Sequence, residues 1–159
     1  MPYEEDIKQK LISKFTYLEG NARVTRPRRV FLEADTKNFL AIFEYLVKEL
    51  NFTHLCTITG LDEQDKLSFI YHLAGESGVL VNLKTSVSKD NPVLKSVIPY
   101  FAGAEIYERE LIDLLGAKIE GLPPGNRYPL TDDWPTGQYP LRKDWKPAAD
   151  KENEVDKNA

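Results

Sequence analysis

A single cysteine, Cys56, stands in 159 residues. No internal disulfide can form, and a reducing compartment fits. Histidine is almost as scarce, with only His54 and His72. No apolar run approaches the roughly 18 residues that a membrane-crossing helix needs, so any membrane contact is expected through a partner. The opening, "MPYEEDIKQKL", is acidic and polar and does not read as a signal peptide. Also missing are a glycine-rich phosphate loop, a CxxC pair, and the GxSxG and GxGxxG patterns, and with them the usual handles for nucleotides, redox disulfides and serine nucleophiles.

Excess positive charge is lacking too. The formal net charge is −4, which argues against nucleic acid as a main partner, because phosphate binding needs local cation. One cluster runs the other way: Arg23, Arg26, Arg28 and Arg29. It reads as a solvated loop and strand start, or else as a contact for an acidic protein face, with RNA a distant third.

What is present is an ordinary globular composition, 42% hydrophobic and 29% charged, with chain enough for one core. Ile7, Leu11, Phe15 and Leu18 recur at helical spacing before Gly20. "RRVFLEAD", 28–35, reads as a strand, and Asp35 is placed to cap a helix whose stripe is Phe39, Phe43, Leu46 and Leu50. Three strands are expected over 54–62, 67–75 and 78–87, and their short connections make them antiparallel neighbours. A turn at Pro92, a short helix, and a second helix over about 103–115 ending at Gly116 complete the domain. The class is α+β, an antiparallel sheet of about four strands packed with helices. Residues 1–116 form that domain.

Residues 117–147 hold six of the ten prolines and both tryptophans, Trp134 and Trp145. Proline blocks a helix, while the large anchors exclude a disordered linker, so this is an extended tail lying on a surface, its own or another protein's. Residues 148–159 have almost nothing to bury and are expected to be disordered.

Candidates for chemistry are few. His54 and Cys56, two apart on a strand, could activate a thiolate or, with His72, offer three metal ligands; a buried cysteine beside a hydrogen-bonded histidine is the simpler reading. A freestanding enzyme built on His54 and Cys56 therefore stays open as an alternative. Glu108, Glu110 and Asp113 could be paired carboxylates, but Glu105, Arg109 and Asp113 at four-residue spacing read as a charged ladder.

The stretch "ERELIDLLGAKIEGLPPGNRYPLTDDWPTGQYPLRKDW", 108–145, resembles the signature of the 30 kDa subunit of respiratory complex I, the NADH dehydrogenase of respiratory chains. The resemblance extends upstream through "YHL" (71–73) and "KDNPVLKSVIPYFAGAEIYERE" (89–110). Leu122 stands where that family carries the His of G-H-P, the following stretch is one residue longer, and of two arginines only Arg127 remains. This variant is similar to the corresponding subunit of membrane-bound energy-converting [NiFe]-hydrogenases and formate hydrogenlyase-like complexes. The resemblance implies a non-catalytic subunit with no cofactor in this chain. Its partners would be a large catalytic (49 kDa-like) subunit and iron–sulfur subunits, which carry the clusters and, in a hydrogenase, nickel–iron. The place implied is peripheral, on the cytoplasmic side of the cell membrane. A quinone-reducing complex I-type dehydrogenase is the alternative. The partner-binding residues carried over are Glu108, Arg109, Glu110, Asp113, Arg127, Trp134, Arg142, Lys143, Asp144 and Trp145.

Overall fold

The structure is a computed structural model, and it describes residues 3–147. The disorder expected of 148–159 lies outside the described residues. The chain is α+β. Helix α1 (Tyr3–Lys14) and a 3-10 turn (Thr16–Leu18) lead into a hairpin of β1 (Ala22–Arg26) and β2 (Arg29–Glu33). Helix α2 (Thr36–Lys48) precedes three nine-residue strands, β3 (His54–Asp62), β4 (Lys66–Ala74) and β5 (Leu80–Ser88). Then come β6 (Val93–Lys95), α3 (Ala104–Leu115) and β7 (Lys118–Glu120).

The main sheet has the order β1-β2-β5-β4-β3. Three of its pairings are antiparallel, and β2–β5 is parallel. A parallel pair needs a long crossover, here supplied by α2 with β3 and β4. The expected short helix after Pro92 is instead strand β6, paired parallel with β7. Each of these strands is three residues long, too short to show a period of its own.

The sheet is two-faced. Val30, Leu32, Leu55, Ile58, Leu67, Phe69, Tyr71, Leu73, Val81 and Leu83 point to one side and are buried. That side carries the helices: Ile7 and Leu11 of α1, Phe39, Ile42, Phe43 and Leu46 of α2, and Leu111 and Leu115 of α3 belong to the same cluster. Tyr71 sits at its centre, 4.6 Å from Phe39 and 5.7 Å from Phe43 between ring centroids. Alternation along the strands sets this division, because successive side chains in a strand face opposite ways. Asp35 occupies the N-cap of α2, but its side chain makes no capping hydrogen bond; its backbone carbonyl accepts from the Asn38 and Phe39 amides.

A bulge breaks the alternation at one position. Leu55 faces Leu73 and Thr57 faces His72, leaving Cys56 without a partner in the register. Cys56 is half-buried rather than buried.

Candidate partner-docking surface

Helix α3 is where the charged signature begins, and its face decides what each charge does. Glu108 points inward. It is fully buried, and its Oε1 and Oε2 accept from the Val97 amide and the Ser96 hydroxyl, each at 2.7 Å. Burial pushes its carboxyl above the ordinary range, against the pull of these two donors. Asp113 is also buried, and its Oδ2 accepts from the Leu130 amide at 3.2 Å. Arg109 reaches outward along the helix to Glu105 Oε1 (2.7 Å from Nη2) and across to the Pro123 carbonyl (2.8 Å). Gly125 leaves room for it: a Cβ there would stand 2.2 Å from Nη2. Glu110 is half-buried on the same helix.

So Arg109 and Asp113 hold the root of the C-terminal segment, whereas Glu108 ties α3 to the strand and turn before it. Arg127 meets none of these carboxylates. Its Nη1 donates to the Thr131 and Trp134 carbonyls, at 3.3 and 2.6 Å.

The far end of the segment folds back over the C-terminus of α3. A helix end leaves carbonyls without partners; here the Leu141 amide donates to Leu114 O (3.0 Å) and Arg142 Nε to Leu115 O (2.7 Å). The Arg142 guanidinium lies over the Tyr139 ring, 4.8 Å from its centroid. Gly116 ends the helix in the left-handed region at φ 73°. It must also be glycine for space, since a Cβ would meet the Tyr139 ring at 2.6 Å.

A second clamp sits at the end of β3. Asp62 Oδ2 accepts from the Lys143 amide (2.8 Å) and from Lys89 Nζ (2.7 Å), and Lys89 also reaches Asp144 Oδ1 at 3.0 Å. Burial works to raise the Asp62 carboxyl. The Lys89 ammonium and the Lys143 and Gln64 amides outweigh it and hold the group below its ordinary range. Its hydrogen bond to Asp62 raises Lys89 in turn, and Lys89 lowers Asp144. The third brace is aromatic. Trp134 Nε1 donates to the Gln138 carbonyl and Trp145 Nε1 to Gln138 Oε1, both at 2.9 Å, with the indole centroids 5.9 Å apart.

The segment thus lies along its own domain, with half-buried indoles, an exposed Leu141 (54%) and an exposed Lys143 facing out. Beside it an open cavity of about 390 Å³ runs between α3 and the loops, lined by Ile112, Leu122, Pro123, Arg127 and Tyr139 among others. Asp62, Lys89, Gln138 and Tyr139 brace the segment without any announcement in the sequence. A lone Asp at a strand end carries no sequence signal, and its bond to Lys143 spans 81 residues.

The histidine and cysteine candidates are not drawn together as a ligand set. His54 is exposed. Both His72 ring nitrogens are engaged, with Thr59 Oγ1 at 2.9 Å and Asn82 Oδ1 at 2.7 Å. Among the described residues no group of three or more His, Cys, Asp or Glu could hold a metal ion. Nor, among them, is any helix long and apolar enough to cross a membrane.

Comparison with known proteins points one way. The family model described as the respiratory-chain NADH dehydrogenase 30 Kd subunit matches residues 32–151. The corresponding subunit of the F420H2 dehydrogenase of Methanosarcina mazei is 33% identical over 134 residues, covering 80% of this chain and 85% of the relative. Its counterpart in the NADH-quinone oxidoreductase of Moorella thermoacetica is 30% identical, covering 79% and 85%. A chain from the solved membrane-bound sulfane sulfur reductase, an archaeal respiratory membrane complex, superposes with a TM-score of 0.78 at 28% identity, covering 96% of this chain and 91% of that one.

Proposed function

The chain belongs to the respiratory-chain NADH dehydrogenase 30 kDa subunit family, and from that premise we propose that it is a non-catalytic subunit of a membrane-associated, energy-converting oxidoreductase complex. In this reading it packs on the large catalytic subunit of the hydrophilic arm, beside iron–sulfur subunits, and is held to the membrane only through them. It carries no cofactor of its own. The electrons pass through partner subunits, and this chain fixes their arrangement.

The observation that carries the reading is the C-terminal segment. Its backbone is braced at the end of α3 and at Asp62, so the outward-facing Leu141, Lys143 and indoles are presented in a fixed geometry. Preorganised aromatic and charged anchors are what a stable interface requires, since ordering a loose segment on binding costs free energy. Glu108 and Asp113 serve that surface from inside, by fixing α3 and the segment's root.

The hydrogenase-like form of such a complex is the finer proposal. Leu122 in place of the G-H-P histidine supports it, as does the likeness to the membrane-bound sulfane sulfur reductase, an archaeal respiratory membrane complex. A second reading, a dehydrogenase of the quinone-reducing type, is favoured by the likeness to the NADH-quinone oxidoreductase of Moorella thermoacetica, and the F420H2 dehydrogenase likeness adds reduced F420 as a candidate donor. The large subunit's own sequence separates them: paired CxxC motifs able to ligate nickel favour the first.

The direct test is to tag this chain at its N-terminus, solubilise membranes from its own organism, and identify what co-purifies. The expected result is a stoichiometric complex with the large and iron–sulfur subunits, from which this chain separates without metal. A chain recovered alone from the soluble fraction, or one retaining stoichiometric metal by itself, contradicts the proposal.

A further inference from the structure

Among the described residues no helix covers the sheet's second face, and its charge does not match the rest of the molecule. Phe31 faces Asn82, Arg29 faces Leu80, and His72 faces Asn82 across the ladders. Residues directly opposite share a face, so Arg29, Phe31, Ile70, His72, Leu80 and Asn82 lie together on the side away from the helices. Phe31, Ile70 and Leu80 are half-buried, yet none packs against the core. Together with Arg26 they line an open cavity of about 350 Å³ that, among the described residues, no carboxylate borders.

The β1–β2 hairpin carries four guanidinium groups: Arg26 and Arg29 line this cavity, Arg23 lies over its Phe31 wall, and Arg28 sits at the turn beside Gly78. Among the described residues none of them forms an ion pair. Arg23 lies over the Phe31 ring, 4.6 Å from its centroid, and Arg29 donates to the Arg28 carbonyl at 2.8 Å. The acidic side chains elsewhere on this face, Glu33 and Glu63, are both within ion-pair distance of Lys84, at 3.7 and 2.9 Å. Four cations without acidic partners in seven residues of a chain with net charge −4 make a local inversion of sign.

The hairpin turn adds an independent observation. Arg26 and Arg29 pair across a two-residue loop, Pro27–Arg28, and Arg28 holds φ 60°. Glycine is the low-energy residue there, because a side chain in the left-handed region crowds its own backbone. A tight turn with proline at its first position asks for this conformation at its second, and the residue that fills it here is a further arginine rather than glycine.

We propose that this hairpin and the open sheet face form a second docking surface, for an acidic segment of another subunit of the same complex. Its carboxylates would sit between Arg26 and Arg29, and an apolar side chain would rest on Phe31, Ile70 and Leu80. Guanidinium groups match carboxylates in a planar, two-bond geometry. A protein segment fits better than a polyanion: the floor is apolar, both ring nitrogens of His72 are already bonded, and the molecule's net charge repels a long run of phosphates. The proposal rests on the subunit reading above but concerns the opposite side of the sheet from the core helices.

The test uses the intact complex, purified through a tag on the large subunit, with a photo-crosslinking residue at position 70 of this chain. A crosslink is expected to an Asp- or Glu-rich stretch of another subunit. Arg26→Glu with Arg29→Glu should cut its yield by about tenfold or more, the effect of losing desolvated charge pairs. Arg28→Gly should also cut it while the isolated chain melts no lower than the wild type, an outcome that a merely structural role for Arg28 does not produce. If the wild-type chain is absent from the complex, the subunit reading falls and this proposal with it. If the chain is retained but position 70 stays uncrosslinked, or reaches only lipid, nucleic acid or an acid-poor stretch, the proposal alone is overturned. A crosslink that the arginine variants leave unchanged overturns it as well.

Discussion

Glu108 and Asp62 are both carboxylates with almost no exposure, and their surroundings push them in opposite directions. Glu108 has two neutral donors and no cation, so burial wins and its carboxyl is raised. Asp62 has an ammonium and two amides, which outweigh burial and lower it. Removing the Glu108 side chain leaves the buried Val97 amide and Ser96 hydroxyl without their partner. We expect Glu108→Ala to cost about 2–4 kcal/mol, since each buried orphan costs about 1–3 kcal/mol. Glu108→Gln keeps an acceptor and should cost less; urea unfolding midpoints measure both. Glu63 gives the pH prediction. The Ser68 hydroxyl and the Lys84 ammonium hold it down to about 2 from an ordinary 4.5. A folded value below the unfolded one means stability present above the ordinary range and lost as pH falls between the two. Glu108 has the reverse sign: its contribution is full below the ordinary range and lost as pH rises through its raised value. Melting from pH 6 down to about 2 should therefore show a loss that Glu63→Gln reduces, with its onset near the ordinary carboxylate range.

Among the elements, the three long strands and the helices α1, α2 and α3 follow from local pattern alone. Alternation marks β3 and β5, an apolar, β-rich run marks β4, and short links make them neighbours. Helix α2 shows its stripe at Phe39, Phe43 and Leu46, and α3 its stop at Gly116. What pattern does not reveal depends on distant partners. Strand β6 exists because β7 pairs with it; β2 is legible as a strand, but its parallel place beside β5, some fifty residues on, is not. The bulge at Cys56 cannot be read from periodicity, and it explains why that cysteine is half-exposed where an unbroken strand predicts burial. The root of the tail at Arg109 and Asp113 is legible as charge on a helix; the inward turn of Glu108 is not, because its partners come from the turn at 96–97. Gly116 tests how helix α3 hands over to the tail. Gly116→Ala must place a Cβ in the left-handed region and against the Tyr139 ring, which together should cost about 2 kcal/mol or more. A fall in melting temperature accompanied by increased protease cleavage within 122–147 is the expected result. Cleavage unchanged from the wild type would mean that Tyr139 is not what seats the tail.

At the scale of the whole molecule, the helices cover one face of the sheet, the braced tail covers the end of α3, and the tail and the arginine hairpin are the two surfaces we propose as docking sites. The proposed function rests on the tail being a docking element set on a domain able to fold without it. That is decided by comparing the full chain with a chain ending at Gly121, which keeps β7 but lacks the braces at Leu114, Leu115 and Asp62. Both are expressed in the native organism and assayed for stoichiometry in the complex purified through the large subunit, alongside thermal melting of the isolated chains. We predict that the shortened chain melts cooperatively at a lower temperature, since helix-end carbonyls and Asp62 lose partners, and that it is lost from the complex. A shortened chain that remains at full stoichiometry, or one that shows no cooperative melting at all, would refute the docking role assigned to the tail.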